Sequence, residues 1–211
     1  MVSNSWGSSG AFDPLDPVSI STYEAYKKGI VNVFAAGNEG PGENTLNPYS
    51  AAPWVISVAA GCKFGISPDP TNSAVYCADG RGSILADFSS RGISGDPDVH
   101  PDVTAPGVNI VSTRAALGAV LNGLDAPADA LDCNISLQHV AYYTCAGGTS
   151  MAAPHVAGTI ALMEEAAKGR LTPAQAYSAI VRTAKPLPGY AQWEVGAGFL
   201  DAYAAARYVR R

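Results

Sequence analysis

Ser150 stands between a glycine pair and a run of small residues, a pattern typical of a tight turn that opens a helix. The segment at 147–158 reads GGTSMAAPHVAG. Glycine permits the turn, and a helix N-terminus supplies partial positive charge beside the hydroxyl. A serine nucleophile for acyl transfer needs such a setting, together with a base and donors for an oxyanion. We therefore take Ser150 as the candidate nucleophile, with Pro154 in the first turn of a helix that runs to Lys168.

The sequence contains three histidines that could serve as the base. His155 lies five residues after Ser150 on the same helix, too far round that helix to meet a serine at its start. We expect it to be packed and hydrogen-bonded near the site instead. His100 lies in a polar segment and is expected to be exposed, and His139 lies in a long polar insertion. The sequence thus offers a nucleophile without an evident base.

Two apolar segments predict the central strands that position these residues. Ile30–Ala36 and Trp54–Ala60 are nearly continuous apolar runs, the form of parallel strands that are covered on both faces. Val18–Lys28 precedes the first strand as an amphipathic helix with Ile20, Tyr23 and Tyr26 predicted to face inward. Strand, helix and strand in this order indicate a right-handed parallel crossover and an α/β fold. The helix over 171–181 has Thr172 as its predicted N-cap.

Composition bounds the kinds of partner. With 211 residues, 47% hydrophobic and 15% charged, the chain is typical of one globular domain. The net charge of −5 does not suggest a basic surface that would bind nucleic acid. No apolar run approaches the roughly 20 residues that span a bilayer.

The four cysteines bracket two polar loops. Pairing within each loop, Cys62 with Cys77 and Cys133 with Cys145, is the most economical of the three connectivities. Closing a loop of about 15 residues contributes on the order of 3 kcal/mol in the chain-entropy model. The alternative is four free thiols in a reducing cytosol. Disulfides are favoured and point to a secreted, extracellular protein.

Six ordered blocks resemble the subtilisin-like serine proteases, the subtilases. They are the segment around Ser150, Ser5–Gly7, Ala35–Asn38, Phe88–Gly92, Thr104–Gly107 and Gly196–Gly198. The resemblance implies a subtilisin-like three-layer α/β fold with a mainly parallel central sheet. It also implies a serine endopeptidase that hydrolyses peptide bonds through an acyl-enzyme on Ser150.

The same resemblance implies roles for the residues at the strand ends. Asn38 would complete the oxyanion hole; the alternative is that it only forms a turn. Two short segments would bind the substrate, Ser5–Gly7 by pairing with an extended peptide and Ala35–Gly37 by leaving space for a substrate side chain. They comprise Ser5, Trp6, Gly7, Ala35, Ala36 and Gly37. Trp6 has the further interpretation of plain packing at a strand edge.

The triad Asp and His of the family precede the Ser-Trp-Gly strand. Residues 1–211 contain neither an Asp-Thr/Ser-Gly nor a His-Gly-Thr sequence. We therefore expect this chain to be a partial catalytic domain, with the N-terminal strands that carry Asp and His outside it on an upstream or companion segment. The alternative is a catalytically inactive subtilase fragment that acts as a binding or structural module. An unrelated α/β esterase is disfavoured because no Gly-x-Ser-x-Gly surrounds Ser150.

Two smaller expectations complete the sequence reading. Residues 115–145 are predicted to form a surface insertion within the single domain. The chemistry requires no cofactor, and the family resemblance allows a structural calcium ion. The acidic residues of the loops show no EF-hand spacing. They include Asp69, Asp79, Asp96 and Asp98.

Overall fold

A computed structural model describes residues 1–62, 84–115, 133, 135–169 and 171–210. Four parallel strands form its central sheet in the order β1-β2-β3-β4. They are β1 (Val2–Asn4), β2 (Asn32–Ala35), β3 (Ile56–Gly61) and β4 (Val103–Pro106). The register pairs Ser3 with Val33, and Val58 with Val103. The mainly parallel sheet predicted from the apolar runs is confirmed.

Helices cover both faces of the sheet because the two central strands are apolar on both sides. Helix α1 (Pro17–Lys27) and the side chain of Phe34 lie on one face. Val33, Ala35 and Val58 point to the other face, where α2 (Thr149–Ala166) packs. Every residue of β2 and β3 is buried. The three-layer α/β arrangement follows from this alternation.

Most of the remaining elements follow the sheet in the chain. An antiparallel hairpin is formed by β5 (Ile110–Thr113) and β6 (Tyr143–Ala146), and β6 leads directly into α2. Three more helices close the fold, namely α3 (Pro173–Thr183), α4 (Gln192–Val195) and α5 (Ala202–Tyr208). A short 3₁₀ turn spans Pro48–Ala51. Thr172 caps α3 with a reciprocal capping box to Gln175, as its sequence predicts.

Two expectations about helices were wrong. Helix α1 does not bury Ile20 and Tyr23, which are exposed, and its buried residue is Ser19. The helix instead packs through Val18 and Thr22 against the Phe34 and Trp54 cluster, so tertiary contacts rather than apolar spacing decide which face turns inward. Helix α2 begins at Thr149 rather than at Pro154, and this places Ser150 inside its first turn.

The predicted pairing of Cys133 with Cys145 is confirmed as a disulfide with an S–S distance of 2.05 Å. Cys77, the predicted partner of Cys62, lies outside the described residues. Most of the predicted insertion at 115–145 lies outside them as well, so its surface character stays a prediction. Among the helices that the structure describes, none is long and apolar enough to cross a membrane.

His100 was expected to be exposed, and this was wrong. Its side chain is buried, and Nδ1 lies 3.2 Å from Oδ2 of Asp102. The same oxygen accepts the Ser57 N–H at 2.6 Å, which ties the segment before β4 to β3. The polarity of the residues around His100 could not show that this segment is tied to β3 and buried.

Burial alone would lower the pKa of His100. The hydrogen bond and charge of Asp102, together with the charges of Asp98 and Asp96, outweigh it and raise the pKa above 6.5. A histidine whose pKa is raised on folding stabilises the fold below its unfolded pKa. That contribution is lost as pH rises through the folded value.

We therefore expect His100→Gln to lower the free energy of unfolding more at pH 5 than at pH 8. The difference from wild type should shrink as pH rises above about 6.5, the ordinary pKa of histidine. Denaturant unfolding across this range measures it, with His139→Gln as the control because His139 is exposed. A difference that is flat or grows with pH would contradict the assignment.

Candidate active site

The candidate site lies where the carboxyl ends of β1 and β2 meet the start of α2. Parallel strands place their carboxyl ends at one edge of a sheet, where α/β proteins build their sites. Ser5 follows β1 and Asn38 follows β2, while Ser150 stands in the first turn of α2. Hydrogen bonds join Ser5 to Ser150 and Asn38 to Thr149. Residues more than 100 positions apart therefore form one cluster.

Gly148 sets the direction in which α2 leaves the hairpin. It is the N-cap residue, with φ 156° and ψ 157°, a conformation that is essentially restricted to glycine. Its N–H donates to the carbonyl of Gly107 at 2.8 Å, just after β4. This bond fixes the helix start to the sheet and leaves Ser150 partly accessible.

Pro154 has a specific effect on Ser150 because it lies inside α2. Proline has no N–H, so the Ser150 carbonyl four residues earlier lacks its helical donor. The hydroxyl of Ser5 takes that place and donates to the Ser150 carbonyl at 2.8 Å. The proline thus leaves the Ser150 carbonyl free to accept the Ser5 hydroxyl, and this hydrogen bond joins the end of β1 to the helix.

The Ser150 hydroxyl donates to the main-chain carbonyl of Ser5 at 3.1 Å. A carbonyl oxygen accepts this hydrogen bond but cannot act as a general base. His155 does not compete for the hydroxyl, because its Nδ1 lies 2.8 Å from the Met151 carbonyl within the helix, as expected. His139 is exposed and lies 2.9 Å from the Ser136 hydroxyl.

Asn38 is oriented by Thr149, a residue whose role the sequence reasoning did not assign. The Thr149 N–H and its hydroxyl donate to Asn38 Oδ1 at 2.9 and 3.0 Å. The Gly37 N–H donates in turn to the same hydroxyl at 3.2 Å. Only an oxygen can accept these bonds, so the amide nitrogen of Asn38 must face the other way.

That nitrogen and the main-chain nitrogen of Ser150 both lie close to Gly148. A Cβ placed on Gly148 would lie 3.7 Å from Asn38 Nδ2 and 3.7 Å from the Ser150 nitrogen. A side-chain amide and a main-chain N–H at the start of the helix that carries a serine are the kinds of donor that can stabilise the oxyanion of a tetrahedral intermediate. The geometry can therefore support acyl transfer once a base is present.

The two predicted substrate-binding segments follow or end the neighbouring strands β1 and β2, and Ala35 and Ala36 are buried with their carbonyls accepting hydrogen bonds from Asn47. Ser5–Gly7 continues β1, and Ala35–Gly37 ends β2 and leads to Asn38. Trp6 is half exposed and packs edge-on against Phe34 and Tyr49, with ring centroids 5.6 and 5.5 Å apart. The packing role of Trp6 is thus present, and its exposed half leaves room for a second contact.

Asn47 joins the two segments and was not found from the sequence. Its Nδ2 donates to the carbonyls of Trp6 at 3.0 Å and Ala35 at 3.2 Å. Gly7 permits this approach, since a Cβ there would lie 2.4 Å from the Asn47 nitrogen. Nothing in the local pattern Leu-Asn-Pro distinguishes it from a turn former.

A cavity of about 400 Å³ opens beside Ser150 between α2 and the β5–β6 hairpin. Its lining includes Ile110, Ser112, Met151 and His155. Within the part of the chain that the structure describes, no three His, Cys, Asp or Glu side chains are grouped to hold a metal ion.

The sequence model of the Subtilase family matches residues 1–199. This chain belongs to the subtilase family. Pyrolysin of Pyrococcus furiosus is 33% identical over 77% of this chain, and an extracellular protease of Xanthomonas campestris is 33% identical over 86% of it. Serine protease AprX of Bacillus subtilis is 35% identical over 70% of the chain. The chain spans only 11%, 24% and 29% of the lengths of these subtilases.

Solved structures agree with this family membership. Sphericase superposes with a TM-score of 0.63 at 28% identity, covering 94% of this chain and 55% of its own. A protease from Pseudoalteromonas arctica gives a TM-score of 0.63 at 26% identity, covering 98% of this chain and 50% of its own. The subtilisin-like fold is therefore shown for this subtilase chain.

Unfolding measurements can test whether Ser5 supplies the hydrogen bond that Pro154 withholds from the Ser150 carbonyl. We expect Ser5→Ala to lower the free energy of unfolding by about 0.5–1.5 kcal/mol, because the Ser150 carbonyl loses its donor. The loss should be smaller in a Pro154→Ala background, since the alanine N–H can then bond to that carbonyl. Denaturant unfolding of the four proteins measures the coupling.

Ser8→Ala is the matched control for this cycle, because its exposed hydroxyl bonds only weakly to the neighbouring Ser9 carbonyl at 3.4 Å. Equal losses from Ser5→Ala with and without Pro154 would show that the two residues are not linked through the Ser150 carbonyl.

Proposed function

We propose that this chain is the nucleophile and oxyanion-hole part of a serine endopeptidase that forms an acyl-enzyme on Ser150. One observation carries the proposal. Thr149 holds Asn38 by its oxygen, and the amide nitrogen of Asn38 and the Ser150 nitrogen each lie 3.7 Å from the position that a Cβ on Gly148 would take, at the start of the helix that carries Ser150. Membership of the subtilase family, with relatives named as proteases, supports it.

The proposed reaction uses protein groups only. Ser150 Oγ attacks the carbonyl carbon of the scissile peptide bond while its proton passes to a base. The tetrahedral oxyanion accepts hydrogen bonds from Asn38 Nδ2 and the Ser150 N–H. The protonated base then gives the proton to the leaving amine, and water hydrolyses the acyl-enzyme by the same steps. A structural calcium ion stays a prediction.

The base and its orienting acid would come from an upstream or companion segment. All three histidines of this chain have other partners, namely Asp102 for His100, Ser136 for His139 and Met151 for His155. The cavity beside Ser150 is the place from which an imidazole could reach the hydroxyl. Among the described strands, β1 pairs with β2 alone. A further parallel strand could therefore pair with the other edge of β1.

An extended polypeptide is the proposed substrate. Ser5–Gly7 would pair with its backbone by β-augmentation, which fixes the scissile bond against Ser150. The small residues Ala35, Ala36 and Gly37 leave space for a substrate side chain. Secretion is proposed from the Cys133–Cys145 disulfide, which requires an oxidising compartment, and from the extracellular relative.

One observation favours the alternative of an inactive binding module. The Ser150 hydroxyl donates to the Ser5 carbonyl, so within the described residues its hydrogen-bond partner is not a group that can take the proton. The two functions differ only in whether an Asp- and His-bearing segment joins the chain. In both functions the substrate-binding segments would bind a polypeptide.

The decisive experiment joins the chain to an N-terminal subtilase segment that carries an Asp and a His. We expect the joined protein to hydrolyse a quenched peptide and to be labelled by a fluorophosphonate probe, and the 211 residues alone to do neither. Ser150→Ala should abolish both signals, whereas Ser94→Ala, at an exposed turn serine, should preserve them. Labelling that survives Ser150→Ala would refute the nucleophile.

Asn38→Leu is expected to lower kcat of the joined protein by about 10²–10³ with little change in KM, the loss already measured for the oxyanion-hole asparagine of subtilisin. Glu39→Gln, at the adjacent exposed residue, is the matched control and should keep kcat. A change confined to KM would indicate that Asn38 binds substrate and does not stabilise the transition state.

A further inference from the structure

Ser90 makes hydrogen bonds on both sides of Asn38. The Ser90 N–H donates to the carbonyl of Gly37 at 3.0 Å, one residue before Asn38. The Ser90 hydroxyl accepts the N–H of Glu39 at 3.0 Å, one residue after Asn38. Ser90 itself is fully buried, whereas Asn38 and Glu39 are exposed. One buried residue thus fixes the main chain of the exposed asparagine from beneath.

The fit between Ser90 and Gly37 is close. A Cβ on Gly37 would lie 2.6 Å from the Ser90 hydroxyl, and Gly37 has φ +115°, where other residues are strained. Glycine is therefore required for the approach, but it also leaves the main chain before Asn38 with the most conformational freedom. The two bonds to Ser90 remove that freedom at the one place where the oxyanion donor needs it removed.

Ser90 is itself held by its neighbours in the segment Phe88–Gly92. The Ser89 hydroxyl accepts the N–H of Ala60 in β3 at 3.0 Å. Arg91 forms a buried ion pair with Glu194 of α4 at 2.7 Å. Ser89 and Arg91 therefore anchor the segment to the sheet and to a helix, and Ser90 between them faces the loop of Asn38.

Thr149 and Ser90 divide the control of Asn38. Thr149 fixes the side-chain amide by its two bonds to Oδ1, so that Nδ2 faces the site. That orientation is useful only if the main chain beneath it is held in place. Misplacing a catalytic group by about 1 Å can cost on the order of 10² in rate.

We propose that Ser90 is a positioning residue that holds the oxyanion donor Asn38 through its hydroxyl. The proposal rests on the proposed protease function. Ser90 acts through Asn38 and touches no reacting atom. Its substitution should therefore lower kcat rather than raise KM, and it should have no further effect once Asn38 is gone.

The test uses the joined, active protein with Ser89→Ala as the matched control. Both serines are fully buried and both hydroxyls accept one main-chain N–H at 3.0 Å, but only Ser90 contacts residues beside Asn38. We expect Ser90→Ala to lower kcat about 10-fold with KM within about twofold, a smaller loss than removal of the donor itself. Ser89→Ala should change kcat by less than about twofold, because the Arg91–Glu194 ion pair and the main-chain bonds from Ser89 to Ala86 and from Ala86 to Ala60 still hold the segment in place.

The double variant separates positioning from a general loss of stability. In an Asn38→Leu background, Ser90→Ala should change kcat by less than about twofold, because there is no donor left to hold. Two results would overturn the proposal. One is a kcat of Ser90→Ala equal to that of Ser89→Ala. The other is a loss of kcat on Ser90→Ala that is as large in the Asn38→Leu background as in the wild type.

Amide hydrogen exchange at Glu39 gives a readout that does not depend on activity. In the wild-type chain this exposed residue should have a protected amide, because the Ser90 hydroxyl accepts its hydrogen, and Ser90→Ala should remove the protection. An unprotected Glu39 amide in the wild type overturns the proposal even if the variant does not fold. A joined wild-type protein that hydrolyses no peptide refutes the protease function, and exchange then decides alone whether Ser90 holds the loop.

Discussion

The close packing of helix α2 against the sheet is the constraint on which the site depends. The helix touches the sheet through small buried residues, Ala152, Ala153 and Ala157, which let its axis approach the strands. Gly107 makes the last step of this approach possible, since a Cβ there would lie 2.6 Å from Ala60 Cβ and 2.9 Å from the Gly148 carbonyl. Larger side chains at these positions would lift the helix start, and Ser150 with it, away from the ends of β1 and β2.

Hydrogen bonds within the site fix several of its polar groups before any substrate arrives. Pro154 leaves the Ser150 carbonyl without a helical donor, and Ser5 supplies one from the end of β1. Thr149 uses its N–H and hydroxyl to hold Asn38. Such fixed dipoles need no reorganisation when charge develops, which is the property that makes an oxyanion hole effective. The Ser150 hydroxyl donates to the Ser5 carbonyl, which accepts the hydrogen bond but cannot take the proton as a general base would.

A buried framework supports this exposed cluster from behind. The segment Phe88–Gly92 is fixed to β3 by Ser89 and to α4 by the Arg91–Glu194 ion pair. Its contacts reach the loop after β2 through Ser90. Asn47 links the ends of β1 and β2 in the same way from another side. Precise placement at the surface is thus obtained from hydrogen bonds whose partners are buried.

The sequence by itself determined the features that depend on near neighbours and on residue type. Apolar runs placed β2 and β3, Thr172 as an N-cap placed the start of α3, and the Gly-Gly-Thr-Ser segment placed Ser150 at a helix start. Only the tertiary structure decided that His100 is buried against Asp102, that α1 turns Ile20 outward, and that Thr149 orients Asn38. The physical reason is range. Capping and periodicity act over three or four residues, whereas these contacts depend on how the chain packs, and the bonds at the site join residues 111 and 145 positions apart.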